Sequence, residues 1–108
     1  MGKIVHIVLW KIKRPPAASS KPIEEVLAQA RQAISALKSV PGPEYCHLGP
    51  PMMDDRAQGY DWGLYSIFAS KEDLKTYAVS EAHVKVVTEN VRPLTEAGVL
   101  AYDFELDD

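Results

Sequence analysis

The first predicted strand, at residues 3–13, carries apolar side chains on both of its faces, and this feature most limits the folds open to the chain. Side chains alternate between the two faces of a strand. One face holds Ile4, His6, Val8, Trp10 and Ile12, and the other holds Val5, Ile7 and Leu9. Because both faces are apolar, the fold must supply a covering layer on each side of this strand.

Helical and strand patterns alternate along the rest of the chain. Apolar residues at i, i+3, i+4 spacing predict a helix from Pro22 to Leu37, and the turn at residues 41–43 ends it. The remaining elements are three strands and two helical segments, at residues 45–48, 62–69, 99–106, 70–79 and 80–91. The order β-α-β-β-α-β predicts an α+β fold, a ferredoxin-like sandwich in a single domain over residues 1–108.

The helices of such a sandwich cover one face of the sheet and leave the other face bare. Val5, Ile7 and Leu9 point to that bare face. Leaving three side chains of this size in water would forgo about 4.5–9 kcal/mol, at about 1.5–3 kcal/mol each. We therefore expect a homodimer in which a second subunit covers this face. The last strand also has an apolar face, and Asp103 and Glu105 lie on its other, partly wet face.

Composition and charge exclude several classes of protein. The formal net charge is -3, and the densest basic group, at Lys11, Lys13 and Arg14, is too sparse to indicate nucleic-acid binding. No apolar run approaches the roughly 18 residues that cross a membrane. The single cysteine, Cys46, excludes a disulfide within the chain and suits a reduced thiol in the cytoplasm.

No cofactor or metal is expected from the motifs. His6, His47 and His83 do not have the spacing of a zinc site. The chain has no glycine-rich phosphate loop, no nucleophile elbow and no Rossmann fingerprint. Any catalysis would therefore depend on the side chains of the protein itself.

Tyr77 and His83 are the candidate catalytic residues. If Ser80 caps a helix, His83 takes the third helical position, where the helix dipole favours the neutral ring that can act as a general base. Tyr77 could donate a hydrogen bond to a developing enolate oxygen. The alternatives are a surface or capping histidine and a core tyrosine. Six residues on a continuous helix lie about 240° apart, so the two side chains converge only if the helix breaks at Ser80-Glu81.

A ligand pocket is expected between the sheet and the helices. His6 is polar among apolar neighbours, so it either has a hydrogen-bond partner in the core or borders a cavity. The small side chains of helix 1, such as Val26, would leave room for a ligand. The residues expected to line the pocket beside Tyr77 and His83 are His6, Val8, Trp10, Val26 and Leu64.

Three segments together resemble the stress-responsive dimeric α/β-barrel (Dabb) domain family. Residues 5–11 resemble its opening strand, residues 77–84 its Y-x-x-H-P-x-H-V segment, and residues 99–104 its closing strand. The resemblance implies a dimeric α/β barrel. Plant polyketide cyclases of the family use a tyrosine and a histidine that match Tyr77 and His83, and His6 matches a pocket histidine.

The resemblance has gaps at the expected site. Ser80-Glu81 stands where the family has His-Pro, and Val86, also expected to bind substrate, stands where the cyclases have an aromatic residue. No aromatic residue occurs from Arg14 to Glu44, where the cyclases line part of their pocket with them. A different substrate is therefore expected, even if the type of reaction is shared.

The resemblance favours a cofactor-independent enzyme that catalyses aldol-type cyclisation, or a related lyase step, on a polyketide-like β-keto substrate. Two alternatives stay open. One is a non-catalytic protein of the same fold that binds a small apolar ligand or responds to stress. The other is a cofactor-independent oxygenase.

Overall fold

Four antiparallel strands and three α-helices form the ferredoxin-like sandwich that the sequence predicts, in a computed structural model that describes residues 2–107. The strands are β1 (Ile4–Trp10), β2 (Tyr45–Gly49), β3 (Trp62–Phe68) and β4 (Leu100–Glu105). They lie in the sheet in the order β2-β3-β1-β4. The apolar first strand is therefore an inner strand, which agrees with its two apolar faces.

The α-helices are α1 (Ile23–Ile34), α2 (Lys71–Val79) and α3 (Glu81–Val86). Pro22 is extended and precedes α1, so the helix begins one residue later than predicted, and a 3₁₀ turn at Ser35–Ser39 ends it earlier. A five-residue π-helix, Val87–Val91, continues α3 and leads to a 3₁₀ turn at Arg92–Leu94. No helix within residues 2–107 is long and apolar enough to cross a membrane.

The core lies between the helices and one face of the sheet. Ile34 and Phe68 are fully buried at its centre, and Trp10 and Leu64 are buried beside them. Val86 packs against this core from α3. The side chains of α1 and of the central strands thus fill the space between the two layers.

The other face of the sheet, here called the open face, has no helix over it and is rich in large apolar side chains. Its exposed members are Tyr45, Tyr65, Leu100, Tyr102 and Phe104. Val5 also belongs to this face but is only 2% exposed within the protomer. The expectation that Val5 is exposed until a second subunit covers it is therefore wrong. The uncovered apolar surface lies mostly on the strands that flank β1.

The helix-side surface of β4 is also uncovered. Asp103 and Glu105 lie on it and are exposed, since α1 and α2 do not extend over this edge of the sheet. This agrees with the partly wet face expected for the last strand. The gap between α2 and β4 is where the candidate site opens.

Candidate functional site

Ser80 breaks the second helical region in two. Its backbone is extended (φ -64°, ψ 147°), so α2 ends there and α3 begins at the next residue. The Ser80 hydroxyl accepts a hydrogen bond from the backbone N–H of His83 at 3.2 Å, which is the N-cap geometry that serine favours. The break turns the chain so that residues on opposite sides of a continuous helix come together.

This break brings the rings of Tyr77 and His83 together. Their centroids lie 4.4 Å apart, with the ring planes at 48°. The geometric condition that the sequence left open is therefore met. One phenol and one imidazole lie in contact at the junction of α2 and α3.

The hydrogen bond of His83 determines which ring nitrogen is free. Its Nδ1 lies 3.0 Å from the carbonyl oxygen of Ala78. A carbonyl oxygen only accepts hydrogen bonds, so Nδ1 carries the proton and the neutral ring keeps its lone pair on Nε2. Burial lowers the pKa of His83 from 6.5, assisted by repulsion from His6, although the Ala78 bond opposes the shift. Near neutral pH, Nε2 is therefore available as a proton acceptor.

Tyr77 is held in a tight apolar setting. It is 4% exposed, and its ring lies 5.0 Å, centroid to centroid, from that of Phe68. Burial, with a smaller contribution from Cys46, raises the pKa of Tyr77 to about 12. The phenol therefore stays protonated across the physiological range and can act as a hydrogen-bond donor.

Gly42 forms part of the wall behind Tyr77. Its φ of 141° is one that residues with a side chain rarely adopt. A Cβ placed there would lie 2.9 Å from Cδ1 of Tyr77. The Pro41-Gly42-Pro43 turn thus does more than end the first helical region, because its glycine makes room for the tyrosine ring.

His6 and Asp103 form a second polar pair next to Tyr77. They are directly opposed across β1 and β4, and the His6 Nδ1 is hydrogen-bonded to the Asp103 Oδ1. The His6 ring lies 6.4 Å from the ring of Tyr77. The His6 side chain is 14% exposed and that of Asp103 is 43% exposed. His6 thus has a hydrogen-bond partner and also reaches the surface.

A cavity of about 680 Å³ opens between α2 and the β1–β4 edge of the sheet. Its wall is mostly apolar and includes Ile4, His6, Leu74, Ala78, Asp103 and Phe104. Tyr77 and His83 do not line this cavity, but each contacts a residue that does. Tyr77 is adjacent to His6, and His83 is bonded to the carbonyl of Ala78.

The expected pocket residues divide between the cavity, the core and other places. His6 lines the cavity. Val8, Trp10 and Leu64 are buried in the core, and Val86 packs against it. Val26 lies at a separate small cavity of about 160 Å³. The space expected above the centre of the sheet is thus filled by side chains, and the open space lies at the β4 edge, where no helix covers the strand.

Asp103 is the site residue that the sequence reasoning missed. The sequence pattern places it on the wet face of the last strand, as the structure does, but gives it no partner. A signal existed, because β1 and β4 are neighbours in this fold and His6 was the one polar residue on the matching face of β1. The missing information was the register that sets His6 opposite Asp103.

Within residues 2–107, no group of three His, Cys, Asp or Glu residues could hold a metal ion.

The fold and this arrangement define a ferredoxin-like α+β protein with a cavity at the edge of the sheet. A sequence model described as the Stress responsive A/B Barrel Domain matches residues 4–106. The chain therefore belongs to the stress-responsive A/B barrel family, as the three sequence segments indicated. A comparison with curated proteins finds no match.

Several solved structures share the fold. A dimeric protein of unknown function from Bacteroides fragilis is 26% identical, with 98% of each chain covered and a TM-score of 0.69. A Dabb family protein from Mesorhizobium loti is 24% identical, with 96% of each chain covered and a TM-score of 0.66. The hydroxynitrile lyase of Passiflora edulis is 19% identical, covering 99% of this chain and 95% of its own, with a TM-score of 0.66.

Proposed function

We propose that this protein is a cofactor-independent enzyme that catalyses an aldol-type cyclisation, or a related lyase step, on a polyketide-like β-keto substrate. The observation that carries the proposal is the contact between the Tyr77 and His83 rings, 4.4 Å apart at the helix break. It joins a neutral imidazole with a free Nε2 to a phenol that stays protonated. These are the two groups that enolate formation needs.

The proposed reaction begins with proton removal by His83. Its Nε2 takes a proton from the carbon between two carbonyl groups, and the Tyr77 hydroxyl donates a hydrogen bond to the enolate oxygen that forms. General-base catalysis typically contributes about 10²–10⁴ in rate, and one oxyanion donor about 10²–10³. The enolate carbon then attacks a second carbonyl of the same molecule, which closes the ring, and the new alkoxide oxygen takes back, directly or through water, the proton that His83 removed. The lyase direction uses the same groups in reverse.

Two further observations support this assignment. The cavity beside the pair is mostly apolar and has a volume of about 680 Å³, which suits a small apolar or polyketide-like ligand. One protein of the same fold is described as a hydroxynitrile lyase, so the fold can carry a lyase without a large additional domain. At 19% identity this neighbour gives support for the reaction class and none for the substrate.

The direct test compares two variants on a synthetic linear tetraketide thioester and on an aromatic cyanohydrin, with products followed by liquid chromatography and mass spectrometry. His83→Ala should lose about 10²–10⁴ in kcat, and Tyr77→Phe about 10²–10³. Tyr60→Phe is a matched control, since Tyr60 lies under Lys11 rather than at the site. A correctly folded His83→Ala variant that turns over either compound at the wild-type rate would refute the proposal.

A second candidate function is non-catalytic binding of a small apolar ligand. The observation that favours it is the 4% exposure of Tyr77, which is not among the residues that line the cavity. In that case the protein would bind ligands such as an aryl ketone in the cavity and turn over neither test compound. Isothermal titration calorimetry alongside the activity assay separates the two functions.

We further propose that the protein is a homodimer in which two open faces pack together to form a dimeric α/β barrel. The open face carries five exposed large apolar side chains, among them Tyr102 at 62% exposure and Phe104 at 43%. Apolar patches of this kind typically mark an interface. Solved structures of the same fold from Bacteroides fragilis and Thermobifida fusca are described as dimeric.

We also propose a cytoplasmic location, without nucleic-acid or membrane partners. Burial raises the pKa of the Cys46 thiol, so this cysteine is protonated and unreactive at neutral pH. A single buried thiol of this kind suits a reducing compartment. Fractionation of the source cells with an antibody against the protein would test this location.

A further inference from the structure

We propose that His47 makes the pairing of two open faces dependent on pH, so that the homodimer forms at neutral pH and weakens as the solution becomes acid. The inference rests on the homodimer proposed above and adds the group that controls it. It does not depend on the reaction at Tyr77 and His83, because it concerns the affinity between two copies of the chain.

His47 lies in a row of side chains that crosses the whole open face. The strand register sets it opposite Tyr65. Tyr65 is opposite Ile7 on β1, which is in turn opposite Tyr102 on β4. Tyr65 is 41% exposed and Tyr102 is 62% exposed, and His47 is exposed as well. A second copy that packs over this row therefore covers the imidazole together with the two phenols.

No group on the open face offsets a positive charge on His47. The titratable groups that share the face with it are Tyr45, Tyr65 and Tyr102. A phenol is uncharged in neutral and acid solution. None of the four described strands carries Asp, Glu, Lys or Arg on this side. Lys3 and Glu44, which precede β1 and β2, form an ion pair with each other at 2.7 Å.

His47 also has no polar partner within its own protomer. Its ring contacts that of Tyr45, with the centroids 5.8 Å apart, and among residues 2–107 no hydrogen bond or ion pair reaches the imidazole. Since the side chain is exposed, water solvates the ring of the separate protomer in both its neutral and its charged form.

Covering the face removes that water and makes the two forms of the ring unequal. A neutral imidazole can accept a hydrogen bond from one of the tyrosine hydroxyls of this face. A charged imidazolium that is buried without a carboxylate loses its hydration and gains no opposite charge. A twofold dimer buries the same surface of both copies, so the unfavourable term occurs twice. The dimer therefore favours the neutral form of His47.

Proton linkage gives the direction and the size of the effect. A group that binds a proton less readily in the dimer than in the monomer stabilises the dimer at high pH, and this contribution is lost as the pH falls. An ordinary histidine, with a pKa of about 6.5, is charged about tenfold more often than neutral at pH 5.5. An interface that admits only the neutral ring then loses about tenfold in affinity for each copy, or about 10² in the dimer Kd.

The test measures the dimer Kd by sedimentation velocity over a dilution series at pH 8 and at pH 5.5. Ordinary carboxylates stay ionised over this range, so they contribute little to a difference. We expect the Kd of the wild type to rise by about 10–10² on acidification. His47→Gln keeps a polar side chain but cannot take up a proton, so its Kd should be the same at the two pH values.

Two further variants assign the effect to this one histidine. His83→Gln removes an imidazole from α3, on the helix side of the sheet, and should retain the wild-type rise in Kd. His47→Lys places a permanent charge on the open face and should weaken the dimer at both pH values. Circular dichroism at each pH verifies the fold, which we expect to be intact because His47 is exposed and has no hydrogen bond within residues 2–107.

A wild-type dimer with the same Kd at pH 8 and at pH 5.5 would overturn the inference and leave the homodimer intact. A His47→Gln dimer that weakens in acid as much as the wild type would overturn it equally. A wild type that is monomeric at pH 8 at micromolar concentration would refute the homodimer itself, and this inference with it. None of these results depends on turnover, so the proposed reaction is tested separately.

Discussion

The substitution Gly42→Ala tests whether the backbone behind Tyr77 fixes its position. The added methyl would lie 2.9 Å from Cδ1 and 3.2 Å from Cβ of Tyr77, so the ring has to move. Crowding of this kind costs about 1–3 kcal/mol, and a residue with a side chain at a φ of 141° adds about 1–3 kcal/mol of backbone strain. We expect a loss of about 2–6 kcal/mol in the free energy of unfolding, measured by urea denaturation at fixed protein concentration.

Gly98→Ala is the matched control for this experiment. Gly98 also has a positive φ, at 91°, but a Cβ there would meet nothing within 4 Å. Its alanine variant should therefore lose only the backbone contribution of about 1–3 kcal/mol and keep its activity. Gly42→Ala should be less stable than Gly98→Ala and should also lose turnover, because Tyr77 is displaced. Equal stability and activity in the two variants would refute the packing of Tyr77 against Gly42.

Three further predictions follow from the site and the open face. Ser80→Ala should lower stability by about 0.5–2 kcal/mol through loss of the cap, and should reduce turnover by letting Tyr77 and His83 separate, as urea denaturation and kinetics would show. Burial lowers the pKa of His83 from 6.5, and only its neutral ring accepts a proton. The ratio kcat/KM should therefore be maintained through pH 6.5 and fall at more acid pH, and a ratio that does not fall on the acid side would contradict this role. Tyr102→Lys on the open face should give monomer or aggregate in light scattering, whereas Thr88→Lys, on the exposed side of the π-helix, should leave the wild-type oligomer intact.

The fold was predictable because its main determinants are local or periodic. The two apolar faces of the first strand required two covering layers, and the order of elements then indicated the ferredoxin-like sandwich. The helix break at Ser80 was also visible, because a serine cap depends on a few neighbouring residues. The contact between Tyr77 and His83 follows from that break.

The shape of the cavity could not be read from the sequence. Val8, Trp10 and Leu64 belong to the correct face, but whether they leave space depends on how side chains from α1 and three strands fill the volume between the layers. The partnership of His6 and Asp103 depends on the register of strands about a hundred residues apart, since the two residues are separated by 97 positions. Such long-range alignment is not determined by periodicity alone.

The central claim, that His83 removes a proton from the substrate carbon, is tested most directly by deuterium exchange. A simple 3-oxoacyl thioester is incubated in D₂O with the wild type or with His83→Ala, and incorporation at the carbon between the carbonyls is followed by NMR above the buffer rate. We expect the wild type to accelerate exchange and His83→Ala to lose about 10²–10⁴ of that acceleration. Exchange at the buffer rate with the wild type, or an undiminished acceleration with His83→Ala, would contradict the account.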